Sequence, residues 1–121
     1  MKRGEVWWAD LEPRSGSEQS GRRPVIIVSH DGFNQNPRWR SIIVVPISTT
    51  ESQGRRSPTT CHLPPGTAAL PLPSVAVCHQ VTTLERAKLS KHIGDLAPGL
   101  IRAVEEGLAA ALDLGLPGLA Q

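Results

Sequence analysis

Two aliphatic runs constrain this chain more than anything else in it: Pro24-Val25-Ile26-Ile27-Val28-Ser29 and Ser41-Ile42-Ile43-Val44-Val45-Pro46-Ile47. Consecutive β-branched side chains lose rotamer freedom in a helix and pack well on a pleated surface. With no polar alternation to give either run a wet face, each predicts a strand covered on both sides. The rest of the chain must supply that cover. Its 121 residues suffice for one hydrophobic core, so a single domain is expected over residues 1–116, with a flexible tail at 117–121. A domain of this size needs no disulfide or metal staple. Tyr is absent and aromatics are 3% of residues, so aliphatic side chains must fill the interior.

The flanking segments are short and punctuated. Val6-Trp7-Trp8-Ala9-Asp10-Leu11 reads as a strand ended by Glu12-Pro13, and its two tryptophans fall on opposite faces. A polar, glycine-rich loop follows over residues 14–22, and a second polar segment spans 48–58. Residues 30–34 carry turn chemistry. A short strand is expected over 59–63 and another over 91–96. Residues 74–82 are expected as one strand, with Val75, Val77, His79 and Val81 on one face and Ala76, Cys78 and Gln80 on the other. Pro98 suits the first position of a helix. Leu100, Ile101, Val104, Leu108, Ala111 and Leu112 then recur at helical spacing, with Gly115 as the expected stop. The reading is mainly β with one C-terminal helix, a small curled sheet or barrel. Six strands closing on themselves would leave no exposed edge.

Lys and Arg total 13 against 11 Asp and Glu, a formal charge of +2. That surplus does not by itself mark a nucleic-acid binder. Its distribution is more telling: Arg22-Arg23, Arg38 with Arg40, and Arg55-Arg56 crowd the first half, while Glu105-Glu106 lie near the end. The charged opening Met1-Lys2-Arg3-Gly4-Glu5 does not suit a secretory leader, and no apolar window is long enough to span a membrane. A cytoplasmic protein without membrane contact is expected, with Cys61 and Cys78 as free thiols. Cys61-His62 and Cys78-His79 offer four zinc-ligand types, but neighbours on a strand point to opposite sides and the spacing fits no common finger. No metal and no cofactor is expected.

Arg23 is anchored from behind by Pro24-Val25-Ile26, which leaves its guanidinium to face solvent. A rigidly held arginine offers a planar fork of donors for phosphate; the plainer reading is a rim arginine paired with Glu18. Ser48 and Thr49 follow the second buried run directly, and hydroxyls at a strand end either donate to a phosphate or cap a turn. If the two runs are antiparallel neighbours, the start of the first lies beside the end of the second, so Arg23 and Ser48 meet at one sheet edge. Trp39, between Arg38 and Arg40, is either a platform for a nucleobase or a packing residue beneath its loop or in a dimer contact. Arg55 and Arg56 reach backbone phosphate or form a solvated loop pair.

Several ordered motifs then point one way. Arg3-Gly4-Glu5-Val6-Trp7-Trp8-Ala9-Asp10-Leu11-Glu12-Pro13, Gly16-Ser17-Glu18-Gln19 and Gly21-Arg22-Arg23-Pro24 resemble the opening of the MazF/PemK family of toxin endoribonucleases. Phe33-Asn34, Val44-Val45-Pro46-Ile47-Ser48, Ser74-Val75-Ala76-Val77-Cys78, Gln80 and Ile93-Gly94 continue the likeness at similar distances, from Lys2 to about Leu114. The resemblance implies a homodimer with an SH3-like β-barrel and a C-terminal helix. It implies metal-independent cleavage of single-stranded RNA, commonly mRNA, at short sequences, leaving a 2′,3′-cyclic phosphate and a 5′-hydroxyl, under control of a cognate antitoxin.

Within that resemblance the essential arginine falls on Arg23 and the hydroxyl residue on Ser48, where many relatives carry Thr. Glu18, Gln19, Arg22, Trp39, Arg40, Thr49, Arg55, Arg56 and Gln80 are the expected RNA contacts. The chain departs from the pattern at His79, which replaces a carboxylate, and at Thr82, which replaces an arginine; Arg86 or Lys88 is the expected substitute cation. His79 is a candidate general base because imidazole is the side chain that titrates near neutral pH, set against a partly buried histidine among valines. These departures keep open a second function, a non-catalytic RNA-binding or antitoxin-binding module of the same fold. A small peptide-binding SH3-like domain would have no need of Arg23 beside Ser48.

Overall fold

A computed structural model describes residues 1–11, 21–49 and 57–115. Its strands are β1 (Glu5–Leu11), β2 (Gly21–Ile27), β3 (Ser41–Thr49), β4 (Thr60–Leu63), β5 (Ser74–Val77), β6 (Thr82–Glu85) and β7 (Leu89–Asp95). A single helical turn, α1 (Asp31–Asn34), follows β2, and α2 (Pro98–Leu112) ends the described fold. The strands form one antiparallel sheet in the order β4-β5-β3-β2-β1-β7, with β6 also against β3. The mainly β architecture with a terminal helix is as the sequence predicts.

β3 organises the sheet because its nine residues serve three neighbours. β2 pairs with its middle, β6 with its first half from Ser41 to Val44, and β5 with its end from Ile47 to Thr49. The chain must therefore step out of the sheet between β5 and β6, and it does so in a 3-10 turn at Cys78–Gln80. There the Cys78 N–H donates to Thr59 O at 2.9 Å, and the Val81 N–H to Cys78 O at 3.2 Å. This corrects the single strand expected over 74–82. Local β propensity runs through the segment, but one partner strand cannot accept an unbroken neighbour that changes register.

Both faces of the central strands are buried, as the two aliphatic runs require. Val6, Ile26, Val45 and Ile47 join Cys61, Leu63, Ala76, Cys78, Leu96 and Val104 in one cluster, and Ala9, Leu11, Val25, Ile27, Ile42, Val44 and Leu89 form the other. The alternation along β1, β2 and β3 deals their residues to the two clusters. The ladder path ends at β4 and β7, so among the described residues hydrogen bonds do not close the sheet. The 3-10 turn at Thr67–Ala69 packs against β7. Its Ala68 Cα lies so near Gly94 of β7 that a Cβ there would sit 2.7 Å away.

α2 begins with Pro98 after Ala97, as its sequence predicts. It stops at Leu112, with Asp113 in the left-handed region at φ 56°, two residues before the expected Gly115. Its buried contacts are Val104, Gly107 and Ala109, while Leu112 is exposed. Gly107 is there for closeness: a Cβ would meet Cys78 Sγ at 2.6 Å. Arg3 fastens the helix to the sheet, donating from Nε to Val28 O at 3.0 Å and pairing from Nη1 with Glu105 Oε2 at 2.9 Å. The predicted tail at 117–121 lies outside the described residues.

Candidate active site

β2 and β3 are antiparallel neighbours whose last pair is Val25↔Pro46. Two residues further out on each strand stand Arg23 and Ser48, so the register brings them level at one end of the sheet. Strand alternation puts Arg23 on the side of Val25 and Ile27, and Ser48 on the side of Ile42 and Val44. Those four residues share one core cluster, so the two side chains rise from the same face. Their surroundings differ in a useful way. Arg23, across from Ala9, is exposed, whereas Ser48 retains 8% exposure beside Val75 of β5. The result is an exposed cation level with a buried hydroxyl, a pairing suited to a phosphodiester.

Arg22 takes the opposite face. Its guanidinium sits 5.0 Å from the Trp8 ring centroid, a cation–π contact that separates it from Arg23. Thr49 is half-buried across from Ser74. Glu18, Gln19, Arg55 and Arg56 lie outside the described residues.

His79 is not the valine-flanked strand residue expected. It is exposed in the turn between β5 and β6, with Nδ1 2.9 Å from Thr59 Oγ1. Next to it, Gln80 Oε1 is buried without a hydrogen-bond partner among the described residues. Burial pushes the Cys78 thiol up to about 12 and also raises Cys61, with Glu106 adding to the latter. Both sulfurs stay protonated near neutral pH, which removes thiolate chemistry from consideration. A His-carboxylate group assembles elsewhere: ligand-type atoms of Glu5, His92 and Asp95 lie within 4.8 Å of one another at the far end of β1.

Trp39 and Arg40 stand at the other end of β3 from Ser48. Trp39 is neither beneath its loop nor isolated; it stacks on Phe33 with centroids 4.4 Å apart and planes 17° from parallel, and each ring is 42% exposed. Arg86, expected as a substitute RNA contact, is instead turned inward onto this loop. It donates to the carbonyls of Phe33 (3.0 Å), Asn34 (2.8 Å), Asn36 (2.9 Å) and Trp39 (3.0 Å). No spacing rule connects Arg86 to residues about fifty positions away, so the sequence carried no signal for this role.

Residues 2–112 match the family model of the PemK-like, MazF-like toxins of type II toxin–antitoxin systems. The chain belongs to that family. It is 34% identical over 114 residues to endoribonuclease MazF6 of Mycobacterium tuberculosis, covering 94% of this chain and 98% of the relative. It is 32% identical over 114 residues to endoribonuclease EndoA of Bacillus subtilis, covering 94% and 96%. A mycobacterial endoribonuclease solved with its cognate antitoxin superposes with a TM-score of 0.76 at 26% identity, covering 97% and 99% of the two chains. A MazF from Deinococcus radiodurans, at 20% identity and TM-score 0.76 over 93% and 96%, shares the fold. The toxin family is thus matched along almost the whole sequence, and the PemK/MazF membership expected from its motifs holds.

Proposed function

We propose that this PemK/MazF-family protein is an endoribonuclease toxin that cuts single-stranded RNA, with mRNA as its main target, at a short sequence. The observation that carries the reading is the convergence of Arg23 and Ser48 at one sheet edge in a chain of this family. The nucleophile is the substrate's own 2′-hydroxyl, so attack on the adjacent phosphorus needs no activated water. It yields a 2′,3′-cyclic phosphate and a 5′-hydroxyl. Arg23 stabilises charge growing on the non-bridging oxygens and is the candidate donor to the leaving 5′-oxygen, while Ser48 orients the phosphate. A protonated guanidinium has no free lone pair with which to act as the base. His79, exposed and oriented by Thr59, is the candidate for that role.

Arg22, Trp39, Arg40, Thr49 and Gln80, together with Glu18, Gln19, Arg55 and Arg56, are the proposed RNA contacts. The proposed working form is a homodimer, neutralised by a cognate antitoxin whose acidic and apolar residues complement a basic groove. The mycobacterial relative solved with its antitoxin supports that partner. Among the described residues no helix is long and apolar enough to cross a membrane, in keeping with a cytoplasmic site of action.

Gel-resolved cleavage of a long single-stranded RNA in excess EDTA tests the reading. Discrete cuts ending in cyclic phosphate, lost in Arg23→Ala, are expected. Intact RNA with a folded, antitoxin-free dimer would point to the non-catalytic binding module instead.

A further inference from the structure

The segment between β2 and β3 is short, yet it is held with unusual thoroughness for a surface loop. At its start Asn34 is buried: Ser29 Oγ donates to Asn34 Oδ1 at 2.5 Å, and Asn34 Nδ2 donates to Ser29 O at 2.7 Å and Asp31 Oδ1 at 3.0 Å. The Arg3 N–H donates to the same Asp31 oxygen at 2.7 Å. At its end the guanidinium of Arg86 spans four loop carbonyls, and the Arg86 N–H donates to Arg40 O at 2.7 Å. What this scaffold displays is an aromatic pair. Phe33 and Trp39 are stacked on each other and both remain 42% exposed. An arginine clamp satisfying backbone carbonyls adds nothing to a core; it fixes where those rings stand.

We propose that the Phe33–Trp39 pair is a preorganised stacking platform for a nucleobase of the RNA substrate, and that Arg86 is the residue that positions it. This inference rests on the ribonuclease reading and extends it to a second contact away from the cleavage edge. Three features favour RNA as the occupant. The rings present flat π surface, which stacks on any base. Arg38 and Arg40 flank Trp39 and are exposed, the arrangement that holds phosphates on either side of a stacked base. The platform also lies at the Ser41 end of β3 while Ser48 lies at the other, roughly 20 Å away at about 3.3 Å per strand residue. An extended RNA strand bound at the cleavage edge reaches that far only if it continues several nucleotides past the scissile bond. The platform therefore favours long substrates over short ones.

The test uses two RNAs built around the cleavage sequence, one trimmed close to the scissile bond and one extended by ten nucleotides on each side, together with a 2′-O-methyl version of the long one that cannot be cut. Wild-type protein should show tryptophan quenching with the uncleavable long RNA, and Trp39→Leu should lose most of that quenching. For the long RNA, Trp39→Ala should raise KM by roughly 5- to 100-fold, the range for loss of one stacked base, with kcat held. Trp39→Phe should restore most of the loss. Arg86→Lys keeps the charge but not the fork, and should give the same KM rise with unchanged kcat on both RNAs and unchanged KM on the short one.

Equal KM for the long RNA in wild type and Trp39→Ala, with cleavage intact, would overturn the platform while leaving the ribonuclease reading in place. A change in sedimentation of Trp39→Ala without change in KM would assign the pair to a protein contact and overturn it equally. Loss of kcat on both RNAs in Arg86→Lys with a lowered melting temperature would reduce Arg86 to a structural residue. Absence of cleavage by wild type, with quenching still present, would sink the catalytic reading and keep the platform.

Discussion

In the proposed reaction Arg23 and Ser48 divide the work at the sheet edge according to how far each is exposed. If the exposed arginine is the charge-stabilising group proposed above, Arg23→Ala should lower kcat by roughly 10²- to 10³-fold, the usual cost of removing one preorganised donor to a developing oxyanion. Single-turnover cleavage would read this directly, and a loss below threefold would exclude the role. Ser48→Ala should cost less than Arg23→Ala, because it removes an orienting hydroxyl and not a charge. Asp31 carries a different residue-scale consequence. The Arg3 backbone N–H, then the Asn34 side chain, hold its carboxyl below the ordinary carboxylate value of 3.8. Its folded form is therefore the more acidic, so its contribution to stability is complete above that value and is lost as pH falls through the folded pKa. Asp31→Asn should flatten the part of the acid-melting profile below about pH 4; an unchanged profile in thermal melts at graded pH would show that the link does not count.

At the scale of the element, α2 and the 3-10 turn are fitted to each other through Gly107. A methyl group there would overlap Cys78 Sγ, which lies 2.6 Å from the added Cβ position. Gly107→Ala gains about 1 kcal/mol of helix propensity and loses about 1–3 kcal/mol to overpacking, so a net destabilisation of about 1 kcal/mol is expected. Urea melts would check it, and adding Cys78→Ala should return part of the loss. The helical stripe was legible as a period, and Pro98 as a start. The stop was not, because Asp113 adopts the left-handed conformation for which glycine is the usual choice. The strand break at Cys78 was equally hidden: Val77, Cys78 and Val81 look like strand residues, and only the change of neighbour along β3 forces the turn.

At the scale of the whole molecule the central strands are buried on both sides, and stability rests on side chains divided between the two clusters. Ile26 is fully buried beneath α2; Ile26→Ala should cost about 2–5 kcal/mol in chemical denaturation, with a value under 1 kcal/mol indicating that the helix side of the sheet collapses to refill it. The same two-sided burial leaves exposed groups at the ends of β3, with the proposed cleavage pair at one and the aromatic pair at the other.

What the sequence determined by itself was the pair of buried central strands, the terminal helix, the family, and the register that sets Arg23 level with Ser48. All four follow from local order: β-branched runs, a helical period, motifs in series, and an antiparallel register counted outward from adjacent strands. Only the tertiary structure decided that His79 leaves the sheet, that Arg22 lies over Trp8, that Trp39 stacks on Phe33, and that Arg86 holds their loop. Each of these depends on which distant backbone groups need a partner. A carbonyl left unpaired in a loop recruits whatever donor the fold brings near, and the fold brought Arg86 across from β6.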